Sequence, residues 1–265
     1  MNGSGMITSL HNPKIQSVRK LLAHAKARRE EQAFVIEGVR LAEEALKGAW
    51  KAQLVLFTDA LDGRGKAVVD GFSAPGAPVE QVSEAVMKAV SETESPQGLL
   101  VVLAQQTLPL PDSPDFLLIL DGVRDPGNLG TVLRTAAAAG VQAVLLAPGC
   151  VDAWSPKVLR SGMGAHFRLP IHSLGWQDIK RTLKQPSNEL RIFLADSAGG
   201  IPYTDADFRD PVALIVGGEA AGSGTEAVSM AEMKVHIPMP GGGESLNAAI
   251  ATSIMLFEVV QQRTI

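Results

Sequence analysis

Apolar residues first recur at helical spacing between Leu10 and Arg29, where Ile15, Val18, Leu21, Leu22 and Ala25 fall on one stripe and predict an amphipathic helix. Short apolar runs then predict strands at Ala33–Gly38, Gln53–Phe57 and Gly98–Ala104, with a helix through Leu41–Leu46 that stops near Gly48. Gln105–Phe116 (QQTLPLPDSPDF) is rich in proline and has no periodicity, which is the composition of a linker. Beyond it come Phe116–Asp121, Ala143–Ala147, Arg191–Ala195, Val212–Gly217 and Lys234–Met239, with helical stretches between them. Unbroken apolar runs suit parallel strands covered on both faces. The expected fold is therefore α/β, with residues 1–104 as a smaller domain, 105–115 as a linker and 116–265 as a doubly wound parallel sheet. Ligands of such a sheet bind beyond the carboxyl ends of its strands.

The last element differs from the others. From Leu246 to Val260 a helical pattern carries one charge, Glu258, with Leu246, Ala249, Ile250, Ser253 and Phe257 on one face and Met255, Leu256 and Val259 on another. A helix apolar over so much of its girth is buried on two sides. A homodimer is expected to supply the second side. Before it runs Ile237–Asn247 (IPMPGGGESLN), where Gly241–Gly243 can take positive φ and Ser245 is placed to cap the helix or to act on a ligand.

Composition sets limits. Charged residues make up 20% of the 265 and apolar ones 46%, as in globular proteins. The absence of a leader-like start and of a membrane-length apolar run makes the cytoplasm the expected location. Cys150 is the single cysteine, so internal disulfides and thiolate cages are excluded, and His11, His24, His166, His172 and His236 show no ligand spacing, so no metal is expected. The net charge of −4 argues against a surface that grips nucleic acid all over. Locally, however, Lys14, Arg19, Lys20, Lys26, Arg28 and Arg29 occur with no acid among them. That run reads either as a solvated helix face or as a phosphate-binding patch. Aromatics at 5% leave little for a base-stacking platform.

Three loops at strand ends carry candidate chemistry. In Leu120–Gly140 (LDGVRDPGNLGTVLRTAAAAG) Gly122 and Gly127 have P-loop separation, but Asn128 stands where the lysine belongs. A dinucleotide fold needs G-x-G-x-x-G and an acid closing the second strand, whereas that strand ends in Ala147–Pro148. What remains is Asn128 at the mouth of the helix and Arg134 in its second turn, among small and apolar neighbours expected to hold the guanidinium stem. Val216–Gly224 (VGGEAAGSG) holds Glu219 as its one charge. The third loop is the glycine-rich entry to the last helix.

These loops, in this order, resemble the SpoU (TrmH) family of RNA 2′-O-ribose methyltransferases, in the SPOUT superfamily of knotted enzymes. The matching segments are Asp125–Ala136 (DPGNLGTVLRTA), Ile215–Gly222 (IVGGEAAG) and Ile237–Ala251 (IPMPGGGESLNAAIA). Ile7–Leu21, Arg28–Gly38 and Ser91–Val102 look like the small substrate-binding domain that often precedes the catalytic one and resembles RNA-binding ribosomal proteins. Asp152–Pro170 also fits the family. In place of the commoner Gly-Asn-Glu-Gly the chain has Gly217-Gly218-Glu219-Ala220, a change expected to tune the cofactor loop rather than inactivate it.

The resemblance implies a deep C-terminal trefoil knot, S-adenosylmethionine as methyl donor and a ribose 2′-hydroxyl of RNA, ribosomal before transfer RNA, as acceptor. It assigns Gly217, Ile237 and Leu246 to the adenosine part, with Met239 as an apolar wall. Arg134 is the position tied to activating the hydroxyl, with Asn128 orienting it, Glu219 and Ser245 completing the polar site and Asn247 holding the ribose. Lys14, Arg19, Lys20, Arg28 and Arg29 are the expected RNA contacts, and a second subunit is expected to complete the site. A catalytically silent RNA-binding or ribosome-assembly factor of the same fold is the competing function; cofactor binding separates the two.

Overall fold

The computed structural model describes residues 5–184, 190–197, 199–218, 222–243 and 245–264. In chain order the elements are α1 (Pro13–Ala23), α2 (Ala25–Glu31), β1 (Ala33–Glu37), α3 (Val39–Lys47), β2 (Ala52–Phe57), α4 (Gly63–Ser73), β3 (Val79–Gln81), α5 (Glu84–Val90) and β4 (Leu99–Ala104). They continue as β5 (Phe116–Asp121), α6 (Pro126–Ala138), β6 (Ala143–Leu146), α7 (Pro156–Gly162), β7 (Ile171–Ser173), α8 (Trp176–Leu183), β8 (Arg191–Ala195), β9 (Ile201–Pro202), β10 (Val212–Gly217), α9 (Thr225–Met230), β11 (Met233–His236) and α10 (Ala248–Thr264). The chain divides into two compact units: residues up to Gln106 together with Trp154–Phe167, and Thr107–Ala153 together with Arg168–Ile265. The return of Trp154–Phe167 to the first unit was not part of the division expected from the sequence.

The first unit is built on a four-stranded sheet in the order β1-β4-β2-β3, with β4 antiparallel to both its neighbours. Alternate residues Val35, Leu54, Leu56, Leu100 and Val102 meet Ile15, Val18 and Leu21 of α1 and Val86, Met87 and Val90 of α5. The period of two in the strands and of 3.6 in the helices converges on that layer. The expected single helix over Leu10–Arg29 is broken at His24, whose backbone is extended. Arg28 is the reason the break is tolerated. Its guanidinium is only 5% exposed and donates to the carbonyl oxygens of Leu21 and Leu22, the orphan acceptors at the end of α1.

The second unit holds a seven-stranded sheet in the order β7-β6-β5-β10-β8-β11-β9, parallel at every pairing. All six residues of β5 are buried, as expected of a central parallel strand. Leu117, Ile119, Leu145, Leu194, Ala213 and Ile215 pack on one side with Ile179 and Leu183 of α8 and Ala227 of α9. On the other side α10 lies against both α6 and β10. No helix among the described residues is long and apolar enough to cross a membrane.

Candidate active site

Strands β8 and β10 end side by side, and the chain beyond β11 returns across them before entering α10. Together they enclose a cavity of about 600 Å³, a size usual for sites that take a nucleoside-sized ligand. Its walls mix apolar side chains, Val216, Ile237, Met239, Leu246, Ala251 and Met255 among them, with polar groups from Asp196, Ser197, Ser223, Ser245 and Asn247. All four residues assigned to the cofactor, Gly217, Ile237, Met239 and Leu246, line this one cavity.

The β10 loop is fixed by backbone. Gly218 N–H donates to the Asp121 carbonyl at 2.7 Å, and Gly224 N–H donates to the Asp121 carboxylate at 2.7 Å. A Cβ on Gly217 would lie 2.5–2.6 Å from Gly222 and Ser223, and one on Gly218 would lie 2.2 Å from the Gly122 carbonyl oxygen. Glycine is required here because the chain packs on itself. In the third loop, Gly242 is at φ 76° and makes a turn closed by its N–H to the Met239 carbonyl.

Ser245 is not the cap of α10. Asn247 caps it, its Oδ1 accepting from the N–H groups of Ala249 (2.9 Å) and Ile250 (3.3 Å). Ser245 is instead exposed at the cavity wall. With Oδ1 committed to the cap, the Nδ2 of Asn247 donates to Asn128 Oδ1 at 3.0 Å, so the first and third loops meet. Asn128 opens α6, where Asp125 is the cap.

Arg134 lies farther along α6, exposed, and is not among the residues lining the cavity. The expectation of a stem held by apolar neighbours fails, because Val132, Leu133 and Ala136 turn toward the core while Thr131, Arg134 and Ala138 share the outward face. Glu219 lies outside the described residues. Sequence reasoning missed Asp121 and Asp196. The signal, an acid closing an apolar strand in FLLILD and RIFLAD, was present in the sequence.

The basic run is less basic in space than along the chain. Lys14 pairs with Glu80, Lys20 with Glu31 at 3.2 Å and Lys26 with Glu30 at 3.7 Å. Arg28 is corrected out of the expected RNA surface by its burial under α1. Arg19 and Arg29 are exposed with no ion pair among the described residues. Among the described residues no group of three or more histidine, cysteine and acidic side chains could hold a metal.

Residues 115–257 match the model of the SpoU rRNA Methylase family, and residues 12–101 match the MRM3-like substrate binding domain. The chain is 34% identical over 259 residues to 23S rRNA (guanosine(2553)-2′-O)-methyltransferase RlmP of Bacillus subtilis, covering 96% of this chain and 98% of that one. It is 32% identical to human mitochondrial rRNA methyltransferase 3, covering 94% and 72%. An AdoMet-bound rRNA methyltransferase from Sinorhizobium meliloti superposes with a TM-score of 0.87 at 33% identity, covering 97% of each chain. AviRb of Streptomyces viridochromogenes, in complex with AdoMet, gives 0.83 at 25% identity, covering 96% and 99%. With the family model spanning more than half its length, and relatives of this similarity matching almost end to end, the chain belongs to the SpoU rRNA methylase family.

Proposed function

We propose that this protein transfers a methyl group from S-adenosylmethionine to a ribose 2′-hydroxyl of ribosomal RNA. The observation that carries the reading is the meeting of Asn128 and Asn247 beside a cavity lined by all four expected cofactor residues. When bound, S-adenosylmethionine supplies an electrophilic methyl carbon on a positively charged sulfur. Gly217, Ile237, Met239 and Leu246 would hold it. Asn128, Asn247 and Ser245 would position the ribose.

A guanidinium does not serve as a base, since it stays protonated in proteins. Arg134 is therefore read as a bidentate clamp on an RNA phosphate that eases proton loss from the 2′-hydroxyl. Because Arg134 does not line its own chain's cavity, a second copy is proposed to bring it to the reacting centre. Ile250 and Phe257, 53% and 49% exposed on one face of α10, offer the apolar surface for that homodimer.

The first unit is read as the RNA-holding part, of the kind that resembles ribosomal proteins, with 105–115 as its linker. Lys14, Arg19, Lys20 and Arg29 would meet phosphates, because exposed ion pairs such as Lys20–Glu31 are weak enough to exchange. The insertion of β10 between β5 and β8, with β11 beyond β8, supports a C-terminal trefoil knot. The reading places the protein in the cytoplasm with the ribosomal RNA. Its test is labelled methyl transfer into ribosomal RNA from cells lacking the protein, followed by nucleoside mass spectrometry. Methyl groups on the ribose are expected; methyl groups found only on bases would reject the assignment.

A further inference from the structure

Half of residues 217–224 (GGEAAGSG) are glycines, and Gly217, Gly218, Gly222 and Ser223 line the cavity. Glycine loses the most backbone freedom when held in one conformation, so a loop of this composition needs anchors outside itself. One residue supplies them on both sides. The Asp121 carbonyl accepts from Gly218 N–H, and the Asp121 carboxylate accepts through Oδ2 from Gly224 N–H, each at 2.7 Å. A bridge between Gly218 and Gly222 joins the two limbs of the loop to each other.

Strand geometry explains why this acid reaches both limbs. Asp121 closes β5 in register with Gly217, so its carbonyl continues the parallel ladder to Gly218. Side chains alternate along a strand, which places the Asp121 carboxylate on the face of Leu117 and Ile119. Those two residues pack with Ala227 of α9, and Gly224 immediately precedes that helix. Asp121 is 8% exposed whereas Gly222 and Gly224 are exposed, so the bond ties a surface limb to a buried anchor. A backbone N–H donating to a carboxylate also makes a stronger bond than one donating to a neutral carbonyl. Asp121 is not among the described residues lining the cavity, so it acts on a ligand through the loop.

We propose that Asp121 is a positioning residue for the cofactor, holding both limbs of the β10 loop in the form that binds S-adenosylmethionine. This rests on the cofactor reading above. It also sets the cofactor loop against the segment that opens α6, since Asp121 and the helix cap Asp125 belong to one short stretch of chain.

The test is calorimetry with S-adenosylmethionine on the full chain and on the variants D121A, D121N and G224P. D121A removes the acceptor and is expected to weaken binding by about tenfold or more. D121N keeps an oxygen for Gly224 N–H and is expected to recover most of that loss. G224P removes the donor at a φ of −71°, which proline adopts, and is expected to weaken binding as D121A does. Adding D121A to G224P is then expected to cost about twofold more at most. Losses that multiply in full in the double variant would mean that Asp121 acts apart from this bond, and would overturn the proposal. So would a D121N chain as weak as D121A, because the acceptor would then not be what holds the loop. Should D121A fail to fold, G224P carries the test, and wild-type affinity there overturns the proposal. A wild-type chain that takes up no S-adenosylmethionine rejects the cofactor reading itself, whereas the other outcomes leave that reading standing.

Discussion

Asn247 Nδ2 donates to Asn128 Oδ1 at 3.0 Å across 119 positions of sequence, joining the N-terminus of α10 to that of α6. The direction of this bond follows from the helix cap: Asn247 Oδ1 faces the N–H groups of Ala249 and Ile250, which leaves its amide nitrogen for Asn128. The two residues therefore differ in what they do for stability. N247A removes a cap and is expected to cost about 1 kcal/mol, while N128A leaves that cap intact and is expected to cost less. Both variants are expected to lose methyl transfer by tenfold or more. Thermal unfolding and single-turnover rates on the two variants check this, and N128A with normal turnover would remove the pair from the site.

Arg134 tests the clamp. Its side chain is exposed on α6, so R134K is expected to leave the unfolding midpoint nearly unchanged, as for other surface substitutions. The lysine keeps the charge and loses the planar fork, so turnover on RNA is expected to fall at least tenfold with cofactor affinity unaffected. Near-normal turnover would show that bidentate geometry has no part in the reaction.

The exposed face of α10 tests the assembly. Ile250 and Phe257 lie seven residues apart, on the same side of the helix, with Ile254 between them. A glutamate at position 257 places a charge at the centre of the proposed contact. F257E is expected to sediment as a monomer and to lose RNA methylation. If F257E sediments with the same mass as the wild type, the dimer contact lies elsewhere.

Much of this arrangement was legible in the sequence, for reasons that differ from residue to residue. Strands such as β5 and β10 were read because apolar runs covered on both faces leave an unbroken pattern. Strands β3, β7 and β9 are two or three residues long and leave none. The pairing of Lys14 with Glu80 joins positions 66 apart, so a run that looks purely basic along the chain carries its counter-charge from another element. The burial of Arg28 depends on the chain breaking at His24, which no periodicity announced. Asp121 and Asp196 were passed over because one acid after an apolar run is common, and only the folded loops show what each one holds.

Gly218 occupies a position where the commoner motif carries asparagine, and the fold explains why this chain does not. A Cβ there would lie 2.2 Å from the Gly122 carbonyl oxygen, a backbone atom that cannot swing aside as a side chain would. Restoring the asparagine is therefore expected to be harmful in this chain. G218N is expected to displace the β10 loop, break the Gly218 N–H bond to Asp121 and weaken S-adenosylmethionine at least tenfold, with a small effect on the unfolding midpoint. Calorimetry that finds equal or tighter binding would show that the loop has room the geometry denies.

The segment Trp154–Phe167 belongs to the first unit although it is encoded after β6. Trp154 lies with its ring centroid 4.7 Å from Phe34 and 5.8 Å from Trp50, Phe167 meets Trp50 at 5.4 Å, and Trp50 Nε1 donates to the Phe167 carbonyl at 3.3 Å. Phe34 is fully buried and Trp50 is 3% exposed, so removing the returning segment uncovers two large rings and orphans an indole donor. A fragment of residues 1–106 is therefore expected to unfold without a cooperative transition, although it contains every strand of the first sheet. In the full chain W154A removes only one ring and is expected to cost about 2 kcal/mol. Tryptophan fluorescence during urea unfolding reads both outcomes, and a fragment 1–106 as stable as the same unit in the intact chain would show that the aromatic cluster contributes little.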